Sequence, residues 1–180
     1  MRNFGLVGGL AAAVLAAAGG ARAAVVDAQP YGFQIEESVE INAPAAKVWT
    51  ALGHIGAWWS PVHTWSKNAA NLSLDLKLGG CFCEVLPRGG GVRHMSVVYL
   101  APGESAVLEG AMGPLMYSGV TSRVVWVLTE KDGKTTLTQT NYVGGYFKGG
   151  LADLAPVVDR VLGEQITRLK GYVETGKPPA

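Results

Sequence analysis

The stretch Trp126-Val127-Leu128-Thr129-Glu130-Lys131-Asp132-Gly133-Lys134-Thr135-Thr136-Leu137-Thr138-Gln139-Thr140-Asn141-Tyr142 reads as a β-hairpin. Asp132-Gly133 enters the left-handed conformations that a two-residue hairpin turn demands, and both flanks alternate β-branched or aromatic residues with polar ones. Toward the N-terminus, short alternating runs recur at Leu72–Leu78, Cys81–Leu86, Val92–Leu100, Ala106–Glu109 and Ser122–Leu128. Gly79-Gly80, Pro87 to Gly91, Pro102-Gly103 and Gly113-Pro114 punctuate them, so the series reads as an antiparallel meander. Beyond Gly149-Gly150, Leu151, Leu154, Val158, Val161, Leu162, Leu169, Tyr172 and Val173 fall at helical spacing and predict one long amphipathic helix. Pro156 belongs near its first turn, and Glu164 and Arg168 form an i, i+4 pair on its exposed side.

Upstream of the meander, Phe33, Ile35, Val39 and Ile41 alternate with Glu36, Ser38 and Glu40, which predicts a strand with one buried face. Asn42-Ala43-Pro44 supplies a cap and an early proline for a helix carrying Val48, Trp49 and Leu52, and a second short helix covers Ile55 to Trp59. The fold class is therefore α+β: an antiparallel sheet of about six to seven strands curved around a long C-terminal helix, with two short helices plugging one end. Such an arrangement leaves a tunnel between sheet and helix, the natural place for an apolar small molecule.

A chain of 180 residues has room for one domain. Fifteen basic against fourteen acidic residues give a formal charge of +1, which argues against nucleic acid as a partner, and a charged fraction of only 16% argues against disorder. Residues 1–23 carry a single positive charge before an Ala/Gly/Leu/Val run from Gly5 to Ala21, and then Ala21-Arg22-Ala23. That is a signal-peptide pattern with cleavage after Ala23; the run, thinned by glycines, is at the short limit for a membrane span. The expected organisation is a leader at 1–23, a flexible segment at 24–32, a folded domain at 33–175 and a tail at 176–180. No other uncharged stretch approaches membrane length, so an exported, periplasmic or secreted protein without a span in its mature chain is expected.

Several of these segments also match a known family in order and spacing. Val39-Glu40-Ile41-Asn42-Ala43-Pro44, Lys47-Val48-Trp49, Ala57-Trp58-Trp59-Ser60-Pro61 and Leu78-Gly79-Gly80-Cys81-Phe82 resemble the START-like (SRPBCC) superfamily, closest in character to its polyketide cyclase/dehydrase-type and heat-shock-ATPase-activator-homologue-type members. The similarity extends through Leu100-Ala101-Pro102, Trp126-Val127-Leu128, Thr136-Leu137-Thr138 and the Leu169 region. It implies a helix-grip fold with a hydrophobic cavity and leaves function open, because the superfamily holds lipid carriers, enzymes and chaperone co-factors. The leader speaks against a cytosolic chaperone partner, and Cys81 and Cys83 stand where members often carry charged residues.

The candidate ligand-binding set is Trp58, Trp59, Trp65, Phe82, Glu84, Met95, Tyr99, Trp126, Gln139, Asn141, Leu154 and Val158. Trp58, Trp59 and Trp65 cluster around His63 and either enclose a flat or acyl ligand or plug the barrel end. Met95, Val97 and Tyr99 form the inward set of their strand, which leaves His94 out of phase; His54, His63 and His94 are all read as surface or loop histidines. Glu84 shares a face with Phe82 and Leu86, so an inward Glu84 is a weak catalytic candidate with a raised pKa, unless it is solvated or paired with Arg88 or Arg93. Gln139 and Asn141 offer neutral hydrogen bonds inside the tunnel. Pro87-Arg88-Gly89-Gly90-Gly91 lacks the phosphate-loop pattern and reads as a hairpin tip, and no serine sits in a G-x-S-x-G elbow.

Cys81 and Cys83 are the only cysteines. In an extended strand residues i and i+2 lie about 6.5–7 Å apart at Cα, at or beyond the limit for an unstrained bridge. A half-buried apolar pair is expected, with a strained or redox-labile bridge and a metal pair as alternatives. No cofactor and no metal site is expected. The reading favoured is a non-catalytic carrier for a hydrophobic small molecule or lipid. A cyclase- or dehydratase-like enzyme comes next, and a periplasmic interaction module using an outward Cys81, Cys83 and Val85 comes third.

Overall fold

The computed structural model describes residues 22–179; the expected leader lies almost wholly outside them. In chain order the elements are β1 (Arg22–Gln29), β2 (Gly32–Ile41), α1 (Ala45–Gly53), α2 (Ile55–Trp58), β3 (Leu72–Leu74), β4 (Cys81–Val85), β5 (Gly91–Ala101), β6 (Ser105–Gly110), β7 (Gly119–Lys131), β8 (Lys134–Tyr146) and α3 (Ala155–Thr175). The strands form one antiparallel sheet in the order β1-β2-β8-β7-β6-β5-β4-β3, so it has eight strands rather than six or seven. β7 and β8 join as foreseen through Asp132 and Gly133, both at positive φ.

The added strand corrects the expectation of a flexible segment at 24–32. β1 pairs with β2 from Arg22↔Ser38 to Gln29↔Gly32, hydrogen-bonding what would otherwise be an open sheet edge. The turn after it is tied down, since Leu151 N–H donates to the Pro30 carbonyl at 2.9 Å and Gly145 N–H to that of Tyr31 at 3.1 Å. The run at 72–78 is extended only over Leu72–Leu74 before it turns toward Gly80.

α3 lies across β1 and β2. Its buried stripe of Ala155, Leu162, Ile166, Leu169 and Val173 packs into the same core as Ile35, Val39 and Ile41 of β2 and Leu137 of β8. Full burial of such aliphatic side chains contributes about 1.5–3 kcal/mol each. Pro156 sits in the first turn, as expected, and Gly176 at φ 79° ends the helix. Asn42 does not cap α1; Glu130, from β7, accepts from Ala45 N–H at 2.8 Å instead. Arg168 does not pair with Glu164. Its guanidinium donates to the carbonyls of Trp58 (2.9 Å) and Pro179 (2.6 Å), while Glu164 meets His63 at 3.1 Å. Gln165, 1% exposed, accepts from Ser60 N–H at 2.8 Å, so α3 fixes the chain on both sides of Trp59.

Candidate functional site

A cavity of about 400 Å³ lies between the inner face of the sheet and α3. The helix side supplies Leu154, Val157, Val158, Val161 and Leu162. The sheet supplies Leu72, Phe82, His94, Ser122 and Asn141, and the segment after α2 supplies residues from Trp59 to Trp65. Met112 to Leu115 and Phe147 complete the wall. Val62 and Val157 are at once lining and solvent-exposed, so the cavity opens beside them.

Of the expected ligand set, Trp59, Trp65, Phe82, Asn141, Leu154 and Val158 line this cavity. Trp59 is held by its indole N–H donating to the His63 carbonyl at 3.1 Å, and Trp65 stacks edge-on against Tyr117 at 5.8 Å. Trp58, Met95, Trp126 and Gln139 are packed into the core behind the wall. There Trp58 donates to the Ala51 carbonyl at 2.8 Å and Trp126 to Gln139 Oε1 at 2.7 Å.

Tyr99 and His94 exchange the places expected of them, because β5 carries two register shifts. Between Phe82↔Met95 and Cys83↔Arg93 one β5 residue, His94, is left over, and both His94 and Met95 turn inward, 6% and 1% exposed. Gly110 permits it: a Cβ there would collide with the His94 backbone. A second shift between Val97 and Tyr99 reverses the alternation and leaves Tyr99 53% exposed. His54 is exposed, and His63 sits at the rim.

Glu84 points inward, 1% exposed, and is fully partnered. It accepts from Trp65 N–H (3.1 Å), Ser66 N–H (2.5 Å) and His94 Nε2 (3.1 Å), and neither Arg88 nor Arg93 is its partner. Burial alone would raise its pKa, but the hydrogen bonds from Ser66, Trp65 and His94 outweigh burial and hold it below the ordinary carboxylate value. The raised pKa expected of an inward Glu84 is thereby corrected. Burial holds His94 below its ordinary value against the pull of Glu84. The carboxylate can only accept, so Nε2 carries the imidazole proton and Nδ1 is left as a base on a residue that lines the cavity.

Sequence reasoning missed Glu37 and Asp159. Glu37 shares the inner parity of β2 with Ile35 and Val39 and is 0% exposed. It stands opposite Gln139 on β8, whose Nε2 donates to it at 3.3 Å, and two pairs along, on the same face, Ile35 stands opposite Asn141. Burial, with the charge of Asp159 adding to it, pushes the Glu37 carboxyl up to about 8. Burial also raises Asp159, which occupies the α3 stripe between Ala155 and Leu162. Phase alone could have flagged both: each is an acid in register with an apolar face.

Cys81 and Cys83 are joined, which corrects the expectation of two thiols. Their Cα atoms are 5.4 Å apart, closer than a fully extended strand allows, where the β4–β5 register shifts. Both are half-buried and Val85 is exposed. Among the described residues no three His, Cys, Asp or Glu side chains converge to hold a metal ion, and no helix is long and apolar enough to cross a membrane.

Residues 32–174 match the family model described as polyketide cyclase / dehydrase and lipid transport. Among solved structures the chain is similar to DynU16, from the dynemicin biosynthetic locus (TM-score 0.59, 21% identity, 81% of this chain), and spans only 48% of that protein's length. It is also similar to CalU16 from Micromonospora echinospora (TM-score 0.52, 16% identity, 90% of this chain and 87% of that one). A third is the Aha1 dimer from Colwellia psychrerythraea (TM-score 0.53, 18% identity, 80% of this chain and 98% of that one). At these identities the likeness is one of fold. No curated protein matches significantly.

Proposed function

The chain belongs to the polyketide cyclase / dehydrase and lipid transport family, and from that premise we propose that it is an exported carrier that holds a hydrophobic small molecule between its sheet and α3. The observation that carries this reading is the cavity itself. About 400 Å³ falls in the range of small-molecule sites, and its wall is almost wholly aliphatic and aromatic. Its opening beside the exposed Val62 and Val157 offers an apolar ligand a way in. Export rests on the leader pattern at 1–23.

Native mass spectrometry of the mature protein from its own host, followed by solvent extraction, tests the carrier. A stoichiometric apolar ligand is expected, together with uptake of a hydrophobic fluorescent probe that Val158→Trp blocks. A clean apo mass with no probe uptake by the wild type would overturn it.

A second reading has one specific observation behind it, the Glu84–His94 pair at the cavity wall. A neutral imidazole oriented by a buried carboxylate is suited to take a proton from a bound cyclisable or dehydratable substrate. If the protein is such an enzyme, His94→Ala abolishes turnover on any substrate found while ligand uptake persists.

A further inference from the structure

Glu37, Gln139, Asn141 and Asp159 form a polar island beneath α3, where helix and sheet otherwise bury hydrocarbon. Gln139 is committed on both sides, accepting from Trp126 and donating to Glu37. The others are not. Glu37 Oε1, Asn141 Oδ1 and Asp159 Oδ1 are buried and meet no hydrogen-bond donor of the protein. A buried polar oxygen without a partner destabilises its surroundings, so three on one island call for an explanation. Asn141, only 1% exposed, also lines the cavity and joins the island to it.

The chemistry on offer is one-sided. All three unpartnered atoms are oxygens, and two belong to carboxyl groups, which only accept once they are ionised. Among the described residues no Lys or Arg lines the cavity, and its two imidazoles are already paired with glutamates, His94 with Glu84 and His63 with Glu164. Trp59, Trp65 and Phe82 line the cavity, and aromatic rings attract cations placed over their faces. A fatty-acid carboxylate would meet no cation in this wall, and a hydroxyl would satisfy one oxygen of the three. An ammonium group carries three donors.

We propose that the cavity takes amphiphilic amines, with the ammonium head donating to Asn141 where the cavity meets the island, drawn there by the carboxyl groups of Glu37 and Asp159 behind the wall, and the hydrocarbon lying along α3 and Phe82. The proposal rests on the carrier reading and adds the class of ligand. It also implies a proton. Glu37 is faced by Asp159 from α3, by Gln139 and Asn141 from β8 and by Trp126 from β7, of which only Asp159 titrates. With its carboxyl at about 8, Glu37 is protonated in the empty protein at neutral pH and gives up that proton as the ammonium arrives.

Calorimetric titration of the full mature chain with decylamine, decanol and decanoate tests the proposal. Decylamine is expected to bind at least about tenfold tighter than decanoate, one pKa unit of charge interaction being a factor of ten. It is expected to release a proton in buffers of different ionisation enthalpy, and to gain about tenfold in affinity from about pH 7 to about pH 9 as Glu37 ionises beforehand. Glu37→Gln should narrow the amine-over-decanoate preference about tenfold; if that variant does not fold, the wild-type proton release decides by itself. Decanoate binding as tightly as decylamine, or amine binding without proton release, overturns the proposal and leaves the carrier standing. Binding of none of the three overturns the carrier reading and this one with it.

Discussion

Glu84 and Glu37 lie on the inner face of the same sheet, 1% and 0% exposed, and hold their protons oppositely. Glu84 is surrounded by three donors, two of them backbone N–H groups of the strap at 65–66, and is an anion. Glu37 has one weak donor, a second carboxyl for a neighbour and an unpartnered oxygen, and is held as the acid near neutral pH. Burial is common to both and so cannot be what separates them; the supply of donors does. One carboxyl is structural, fastening the Trp65 segment to the sheet, and the other is available for a ligand.

The sharpest way to break this contrast is Glu84→Leu. It strands two backbone N–H groups and the His94 Nε2–H and should cost about 4 kcal/mol, read from urea unfolding. A loss under about 1 kcal/mol would mean that the Glu84 network holds nothing together.

A pH series on Glu37→Gln against the wild type comes next. Glu37 has a folded pKa of about 8 against 4.5 unfolded, so its stabilising contribution is complete below about 4.5 and is lost as pH rises toward 8. His94, depressed on folding, acts in the opposite sense below its ordinary value of 6.5, which is why the difference curve is the quantity to read. That difference should move by about 2 kcal/mol between about pH 5.5 and about pH 7, at about 1.4 kcal/mol per unit. A flat difference would show that Glu37 is an ordinary carboxylate.

Trp126→Phe takes the donor from Gln139 Oε1 and should cost about 1 kcal/mol in thermal or urea unfolding; no cost would place Gln139 outside the network. The smallest effect serves as the control. His63–Glu164 has the same 3.1 Å separation as His94–Glu84 but is exposed, and His63→Ala should cost no more than about 0.5 kcal/mol. A larger cost would show that distance, and not burial with its partners, sets the strength of such a pair.

The elements legible in sequence were those with a local signature. Asp132-Gly133 makes its turn from its own φ preferences, and α3 follows the stripe from Leu162 to Val173. Phe82 and Glu84 face inward because alternation holds along β4. Alternation failed on β5, where a residue in excess at His94 and another register shift near Tyr99 reversed the faces, and nothing within Val92–Leu100 announces either. The same shift lies beside the Cys81–Cys83 pair, which fully extended geometry argued against. Half of the expected ligand set lines the cavity; Trp58, Met95 and Trp126 obey the same apolar phase but lie behind the wall. Phase tells inside from outside and not lining from core.

By itself the sequence determined the order of strands and helices from β2 onward, the sheet curved over a terminal helix, and the family, because periodicity and turn chemistry act over a few residues at a time. Tertiary structure alone decided the shifted face of His94, the partners of Glu84 and the isolation of Glu37 beneath Asp159. Those depend on register between strands and on helix docking, which bring together groups from ten to more than a hundred residues apart, and whether a buried oxygen finds a donor is settled only there.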